Sequence, residues 1–323
     1  MEIREIGEAG LLRLIFPYCL PGTVGDDAAV LAFMGENLVV TTDVLVDRVH
    51  FSDQTTSAQD VGWRSATANL SDLAAMGAMP LGITVGLGLP PDTKVQWVED
   101  LYHGLNACLK PYDTGIVGGD IYRSTVRTVA ITAFGRVESS AVIRRNAAVS
   151  GAAIVVTGDH GKSKAGLELL LDVNLGKDLN EIDRQELILA HQRPVPRLDV
   201  VPMLTKLQPE FVAGMDSSDG LLDAIYQICR ASGVGARINR SAISIHSGLS
   251  RLTENPLDWV LGGGEDFELV LCLPPTTAQM LVELVGGTAA IIGEITATPE
   301  ILLVDDGAEI LLNSSSQFQH FGN

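Results

Sequence analysis

The sequence predicts a two-domain α/β (α+β) protein. Two sets of short apolar runs, rich in Val and Leu, alternate with segments of helical periodicity. Between the sets, polarity rises from Glu138 to Ser150. The 323 residues suffice for about two domains. With 33 glycines, 46% hydrophobic and 5% aromatic residues, the composition is that of a folded protein with many tight connections. The domains are placed at 1–140 and 141–323.

In chain order, residues 3–16 read as a short amphipathic helix and 17–25 as a loop. Strands are expected at 28–33 and 38–43, followed by a polar loop from Val46 to Thr56 that carries His50 and Phe51. A helix starts near Ser57, where Ser57 or Asp60 offers a cap, and shows an apolar face through Trp63, Ala66, Leu70 and Leu73. It ends in Asn69-Leu70-Ser71-Asp72-Leu73-Ala74-Ala75-Met76-Gly77-Ala78-Met79-Pro80, with Gly77 and Pro80 as stop signals. A strand over 81–89, a helix over 92–110, a short buried strand at 116–117 and a longer one over 126–137 complete the first set. In the second set, strands are expected at 152–157, 211–215, 234–238, 267–273, 289–293 and 300–304. Helices are expected at 162–174, 181–192, 198–207 and 219–232.

Composition excludes several roles. The net charge is −18, from 40 acidic and 22 basic residues, and no cluster of Lys and Arg offers a nucleic-acid surface. Cys19, Cys108, Cys229 and Cys272 are widely spaced, the pattern of core residues in a reducing compartment rather than a disulfide or zinc framework. No stretch reads as a signal peptide or a membrane span. The expectation is a soluble, cytoplasmic protein.

The chemistry points to carboxylates. Asn69 and Asp72 share one helix face in a segment of small apolar residues, and a carboxylate there requires a partner. Asp26-Asp27 precede a strand, Asp43 follows Thr41-Thr42 at a strand end, and Asp120 follows Gly118-Gly119. Asp216 and Asp219 flank Ser217-Ser218 where a strand gives way to a helix. Each alone is accounted for by a turn or a cap. Together, hard oxygen donors beside small residues favour Mg²⁺, Mn²⁺ or Ca²⁺ over zinc. In an acidic protein that binds a polyphosphate, such ions stand between carboxylate and phosphate, which predicts Mg²⁺-dependent phosphoryl chemistry.

His50 lies between two acidic motifs, where ligand contact competes with plain surface exposure. Arg144-Arg145 offer a guanidinium fork for phosphate. Gly262-Gly263-Gly264-Glu265-Asp266-Phe267-Glu268 permits close backbone approach, with Glu265 able to meet a polar or cationic substrate. Thr157-Gly158-Asp159-His160-Gly161-Lys162-Ser163 looks like a P-loop, but its register fails: Val156 stands where the first Gly is required.

Taken in order, Gly25-Asp26-Asp27-Ala28-Ala29, Thr41-Thr42-Asp43, Val49-His50-Phe51, the run 69–80, Gly118-Gly119-Asp120, Asp216-Ser217-Ser218-Asp219-Gly220-Leu221 and Gly263-Gly264-Glu265-Asp266 resemble the thiamine-monophosphate kinase family. The likeness runs from about Gly7 to Phe321. The 69–80 run is shared with the wider aminoimidazole-ribonucleotide-synthetase-like superfamily, so the kinase resemblance rests on the combination, His50 and Glu265 above all. It implies a two-domain fold with a C-terminal α/β sandwich and N-terminal domains that pair into a homodimer through a β-barrel. It implies direct in-line transfer from ATP to thiamine monophosphate, with several Mg²⁺ ions and no catalytic side chain beyond metal and positioning groups. The implied metal ligands are Asp27, Thr41, Thr42, Asp43, Asp72, Asp120, Asp216 and Asp219. The implied ATP contacts are Gly119, Asp120, Arg145 (with Arg144 beside it) and Ser218, and the implied thiamine-phosphate contacts are His50, Glu265 and Phe318. A purine-precursor ligase of the same superfamily, or a non-catalytic Mg-nucleotide-binding module, shares the Asp motifs.

Overall fold

A computed structural model describes residues 23–312 except 34, together with residues 10, 12–14 and 16–19. Phe318 lies outside the described residues, as does most of the helix expected over 3–16; residues 10 and 12–14 are helical.

The first sheet contains β1 (Ala29–Phe33), β2 (Glu36–Val46), β3 (Met79–Leu89), β4 (Ile116–Arg123) and β5 (Thr128–Val137), in the order β1-β2-β5-β3-β4. It is open among the described residues, with β1 and β4 as edges. Neighbours are antiparallel except β3 and β4, which run parallel and therefore need a crossover. That crossover is α2 (Val95–Leu109), which packs beside α1 (Ala58–Ala75). Along β5, Val129, Ile131 and Ala133 alternate inward and join Ala66, Leu70 and Leu73 of α1 in one apolar cluster. Burying a leucine such as Leu70 contributes roughly 1.5–3 kcal/mol.

Both ends of α1 follow from its sequence. Ser57 accepts the Asp60 N–H at 3.2 Å. At the other end Gly77 takes φ +72°, its N–H bonding Ala74 O at 3.0 Å while the Ala78 N–H bonds Leu73 O at 2.8 Å. This pair of bonds closes the last turn, and a Cβ on Gly77 would come within 2.6 Å of Ala141 O.

The second sheet contains β6 (Ala153–Val156), β7 (Ala213–Asp216), β8 (Gly235–Asn239), β9 (Leu269–Leu273), β10 (Ala290–Thr296), β11 (Ile301–Asp305) and β12 (Ala308–Leu311), ordered β12-β11-β8-β10-β6-β9-β7. Its helices are α3 (Lys162–Leu171), α4 (Glu181–Gln192), α5 (Val200–Leu207), α6 (Leu221–Ser232), α7 (Pro256–Gly262) and α8 (Pro275–Val285). Period-two alternation divides its central strands between two cores. Ala153, Val155, Leu269, Leu271 and Leu273 pack with α5, α8 and the cluster around α1. Ile154, Val156, Val270 and Cys272 pack with α6. The α1 cluster thus joins the two halves.

The structure extends the expected elements in two places that matter. β2 continues to Val46, so Asp43 lies within a strand rather than at its end. β4 runs from Ile116 to Arg123 and is exposed throughout, not a short buried strand, so Asp120 also lies inside a strand. Helices α7 and α8 and strand β12 are additions to the sequence reading.

Candidate active site

Three elements bring carboxylates together. β2 carries Thr41 and Asp43 on its inner side, α1 crosses beneath it, and β7 ends at Asp216 against α1. The shared helix face of Asn69 and Asp72 serves β2 twice. Asn69 Oδ1 accepts the Asp43 N–H at 3.2 Å, and the Thr41 hydroxyl donates to Asp72 Oδ2. Ser71 donates to Asp216 Oδ2 at 2.6 Å, and Ser218 donates to Asp216 Oδ1 at 2.8 Å. Asp27 enters from the segment before β1. Oxygen atoms of Asp27, Asp72 and Asp216 all lie within 4.8 Å of one another.

These acids are held close and away from water, which disfavours their charged forms. Burial is the main cause in each case. It pushes Asp27 up to about 7 despite Arg145, with Asp216 and Asp26 adding to the rise. Asp43 rises to about 6 through burial and the charges of Asp216 and Asp219. Asp72 rises well above the usual range through burial and its neighbours Asp43, Asp216 and Asp27. A divalent cation fits this donor set. It is all oxygen, it converges, and it holds more like charge than its surroundings balance.

Arg145 is the cation already in place. Its Nη2 donates to Asp27 Oδ1 at 2.7 Å, and its Nη1 donates to Gln227. Arg144 turns instead to Asp26, at 3.3 Å, and is half-exposed.

A cavity of about 780 Å³ opens beside the cluster. Asp43, Ser218 and Asp219 line one part, and His50, Arg64, His191 and Glu265 line another. The His50 loop is braced by Arg127, which pairs with Asp47 at 2.9 Å and Asp53 at 2.8 Å and lies 5.1 Å from the Trp97 ring. His50 Nδ1 accepts the Val46 N–H at 3.1 Å, which puts the proton of the neutral ring on Nε2. Glu265 sits at φ +67°, uncommon for a residue with a side chain, and its N–H bonds Ser218 O at 2.7 Å.

Not every expected ligand converges. Side chains alternate along β2, so Thr42 points to the opposite face from Thr41 and Asp43 and bonds Thr132 at 2.8 Å. The register Thr42↔Thr132↔Thr84 and Gly86↔Asp120 puts Asp120 on that same outer face. Strand β4 is also three strands from β2, roughly 14 Å at about 4.8 Å per strand. Gly119 packs against the Val85 carbonyl, where a Cβ would come within 2.1 Å. Within one chain, then, Thr42, Gly119 and Asp120 are apart from the cluster.

The P-loop lookalike finds its physical explanation here. Asp266 accepts the Gly161 N–H at 2.6 Å and the Ser163 N–H at 2.8 Å, so the chain's own carboxylate fills the N-terminus of α3 where a phosphate would sit. Arg64 and His191 are site residues that sequence reasoning passed over. The available signal was Arg64 itself, a basic residue among small apolar ones in a helix of an acidic protein.

The fold and the acidic site together define an enzyme of the AIR-synthase-related class. The family model for the AIR synthase related protein N-terminal domain matches residues 25–137, and that for the C-terminal domain matches residues 149–306. The chain is 49% identical to the thiamine-monophosphate kinase of Synechococcus elongatus, over 99% of this chain and 98% of that one. It is 35% identical to the thiamine-monophosphate kinase of Prochlorococcus marinus, over 99% and 97%. A solved structure described as AaThiL complexed with AMPPCP and TMP superposes with a TM-score of 0.87, at 30% identity and 99% coverage of both chains. The chain belongs to the thiamine-monophosphate kinase family.

Proposed function

We propose that the protein transfers the γ-phosphoryl group of ATP to thiamine monophosphate, giving thiamine diphosphate and ADP. The observation that carries this reading is the shared cavity, which joins Asp43, Ser218 and Asp219 to His50 and Glu265. A phosphate-handling end and an end suited to a cationic organic group thus face one space. The relatives' names and the AMPPCP and TMP of the solved neighbour support the same pair of substrates.

Asp27, Asp43, Asp72, Asp216 and Asp219, with Thr41 as a hydrogen-bonding support, are the residues that hold Mg²⁺ in this reading. Bound there, Mg²⁺ offsets the charge of carboxylates and phosphate oxygens. Arg145 and Ser218 meet the nucleotide, and His50 and Glu265 meet the acceptor. A phosphate oxygen of the acceptor forms the new bond to Pγ as the bond from Pγ to the ADP oxygen breaks. The acceptor phosphate is already ionised near neutral pH, so the chain has no need of a strong general base.

The protein acts as a homodimer on this reading, and its N-terminal sheets close into a barrel. Support comes from the outer face and edge of the first sheet, where Phe33 (59%), Val117 (67%) and Ile121 (65%) are exposed. Asp120 and Thr42 belong to the same face, so Gly119 and Asp120 serve the partner's nucleotide. Cys108, Cys229 and Cys272 are buried free thiols, which suits a reducing compartment such as the cytoplasm. ADP release measured with Mg²⁺ and ATP should depend on thiamine monophosphate. Turnover that ignores the acceptor refutes the assignment.

A further inference from the structure

The two residues read as acceptor contacts lie 215 positions apart, yet one guanidinium bridges them. Arg64 Nη2 donates to Glu265 Oε1 at 2.6 Å and reaches the His50 carbonyl at 3.4 Å. We propose that Arg64 is a positioning residue for the acceptor, fixing the Glu265 carboxylate and the His50 loop as one recognition wall. This rests on the kinase reading and names a residue through which its acceptor specificity is set.

Three observations separate this from an ordinary buried ion pair. First, the burial is one-sided. The Arg64 side chain is 2% exposed, whereas Glu265 is 37% exposed and lines the cavity. A pair with one partner open to water is screened and adds little to stability. Here the rigid partner is inside and the presented partner faces the ligand space. Second, the anchor is built from backbone. Arg64 Nη1 donates to the His191 carbonyl on α4 and lies 3.2 Å from the His191 ring, which Ser163 also approaches at 3.2 Å. Burial and the adjacent guanidinium hold His191 down to about 3, so it stays neutral and the wall keeps one cation and one anion. Third, Glu265 is held in a left-handed conformation that normally favours glycine. The Ser218 carbonyl and the Arg64 fork share the task of holding it there.

The chemistry of the wall follows. Glu265 Oε1 is committed to Arg64. Oε2 lies 4.0 Å from His191 Nδ1, beyond hydrogen-bond reach, and remains for an acceptor that brings a positive charge or an N–H. Thiamine monophosphate, with its cationic thiazolium and aminopyrimidine, is of that kind. The loss of water on its inner side raises the Glu265 carboxyl, but the Arg64 guanidinium outweighs this and holds it below its usual range, so the presented group stays charged.

The test is a double-mutant cycle on Arg64→Gln and Glu265→Gln, read as KM for thiamine monophosphate, KM for ATP and kcat. Because Arg64 acts through Glu265, each single variant should raise the acceptor KM about tenfold and the double variant also about tenfold rather than about a hundredfold. The ATP KM should stay within about twofold. Arg64→Lys, which keeps the charge but not the fork, should raise the acceptor KM by about threefold, a partial rescue. If Arg64→Gln fails to fold, the same cycle is run with Arg64→Lys. Multiplying effects in either cycle, or an ATP KM that rises with the acceptor KM, overturn the proposal. Calorimetric binding of thiamine monophosphate reads the cycle without turnover. An inactive wild type that still shows the coupling therefore defeats the kinase reading and spares this one.

Discussion

Asp72 concentrates the chemistry of the site in one side chain. It is half-buried on α1, accepts from Thr41, and shares its space with Asp27 and Asp216. Replacing it with Asn removes one unit of crowded charge and one ligand atom. Turnover of Asp72→Asn should fall at least about a hundredfold, because charge neutralisation supplies most of the catalysis in phosphoryl transfer. Thermal stability in a chelator should be equal or higher, as expected where function strains a site. The pH dependence has a definite sign. Asp27 and Asp43 have folded values raised to about 7 and about 6, so the stability they contribute is fully present below about 4 and is lost as pH rises through those values. His160 and His191, lowered to about 4 and about 3, act in the opposite direction. The informative quantity is therefore the difference in Tm between wild type and Asp72→Asn across pH 4 to 8. It should move in favour of the variant as pH rises and swing back toward the wild type when saturating Mg²⁺ is added, since the ion stabilises the state that binds it. Calorimetry should find Mg²⁺ binding tighter at pH 8 than at pH 6, with protons released on binding. Binding independent of pH would contradict the assignment of these acids as ligands.

At the scale of elements, α1 positions the site and α2 positions α1. The two helices approach closely because each has a glycine at the crossing. A Cβ on Gly62 would come within 2.0 Å of Leu101 O, and one on Gly104 within 1.8 Å of Gln59 O. These are backbone atoms in helices, which cannot move aside as a flexible side chain does. Gly62→Ala or Gly104→Ala should therefore lower the denaturation midpoint by the equivalent of about 1–3 kcal/mol, as overpacking does. Because α1 carries both Arg64 and Asp72, the turnover of whichever variant folds should fall as well. A variant with wild-type stability would show that the crossing is looser than these distances imply. The same elements show what the sequence made legible. α1 was readable because its cap, apolar face and Gly77 stop are local signals, and α4 matched residues 181–192 for the same reason. β2 and β4 were cut short because Thr41-Thr42-Asp43 and Gly118-Gly119-Asp120 look like strand ends. Their continuation is set by pairing with β5 and β3, and pairing is not local. α8 begins at Pro275, a residue that reads as a break but suits the first turn of a helix. Arg64 and His191 were missed because their roles depend on contacts 127 and 201 residues apart.

For the whole molecule, the division of the expected ligands between two faces of the first sheet is the feature with consequences. Thr41 and Asp43 look toward α1, whereas Thr42 and Asp120 look outward, Asp120 from an edge strand that is exposed throughout. An open sheet with an exposed apolar edge strand is a surface that pairs. If two chains pair through it as proposed, Val117→Lys combined with Ile121→Lys should shift the protein from dimer to monomer in sedimentation, with loss of turnover. Symmetry also makes a sharper test possible. If Asp120 serves the partner's nucleotide, Asp72→Asn and Asp120→Asn inactivate different halves of each site. Mixing the two inactive variants after subunit exchange gives half heterodimers, each with one site that retains both residues. Activity should then return to about a quarter of the wild-type level by random pairing. If Asp120 instead acted on its own chain's cluster, the Asp120→Asn chain would spoil the site that keeps Asp72, and the mixture would stay as inactive as its parts. The recovered fraction thus decides between the two placements, and it does so without altering the apolar surface on which pairing depends.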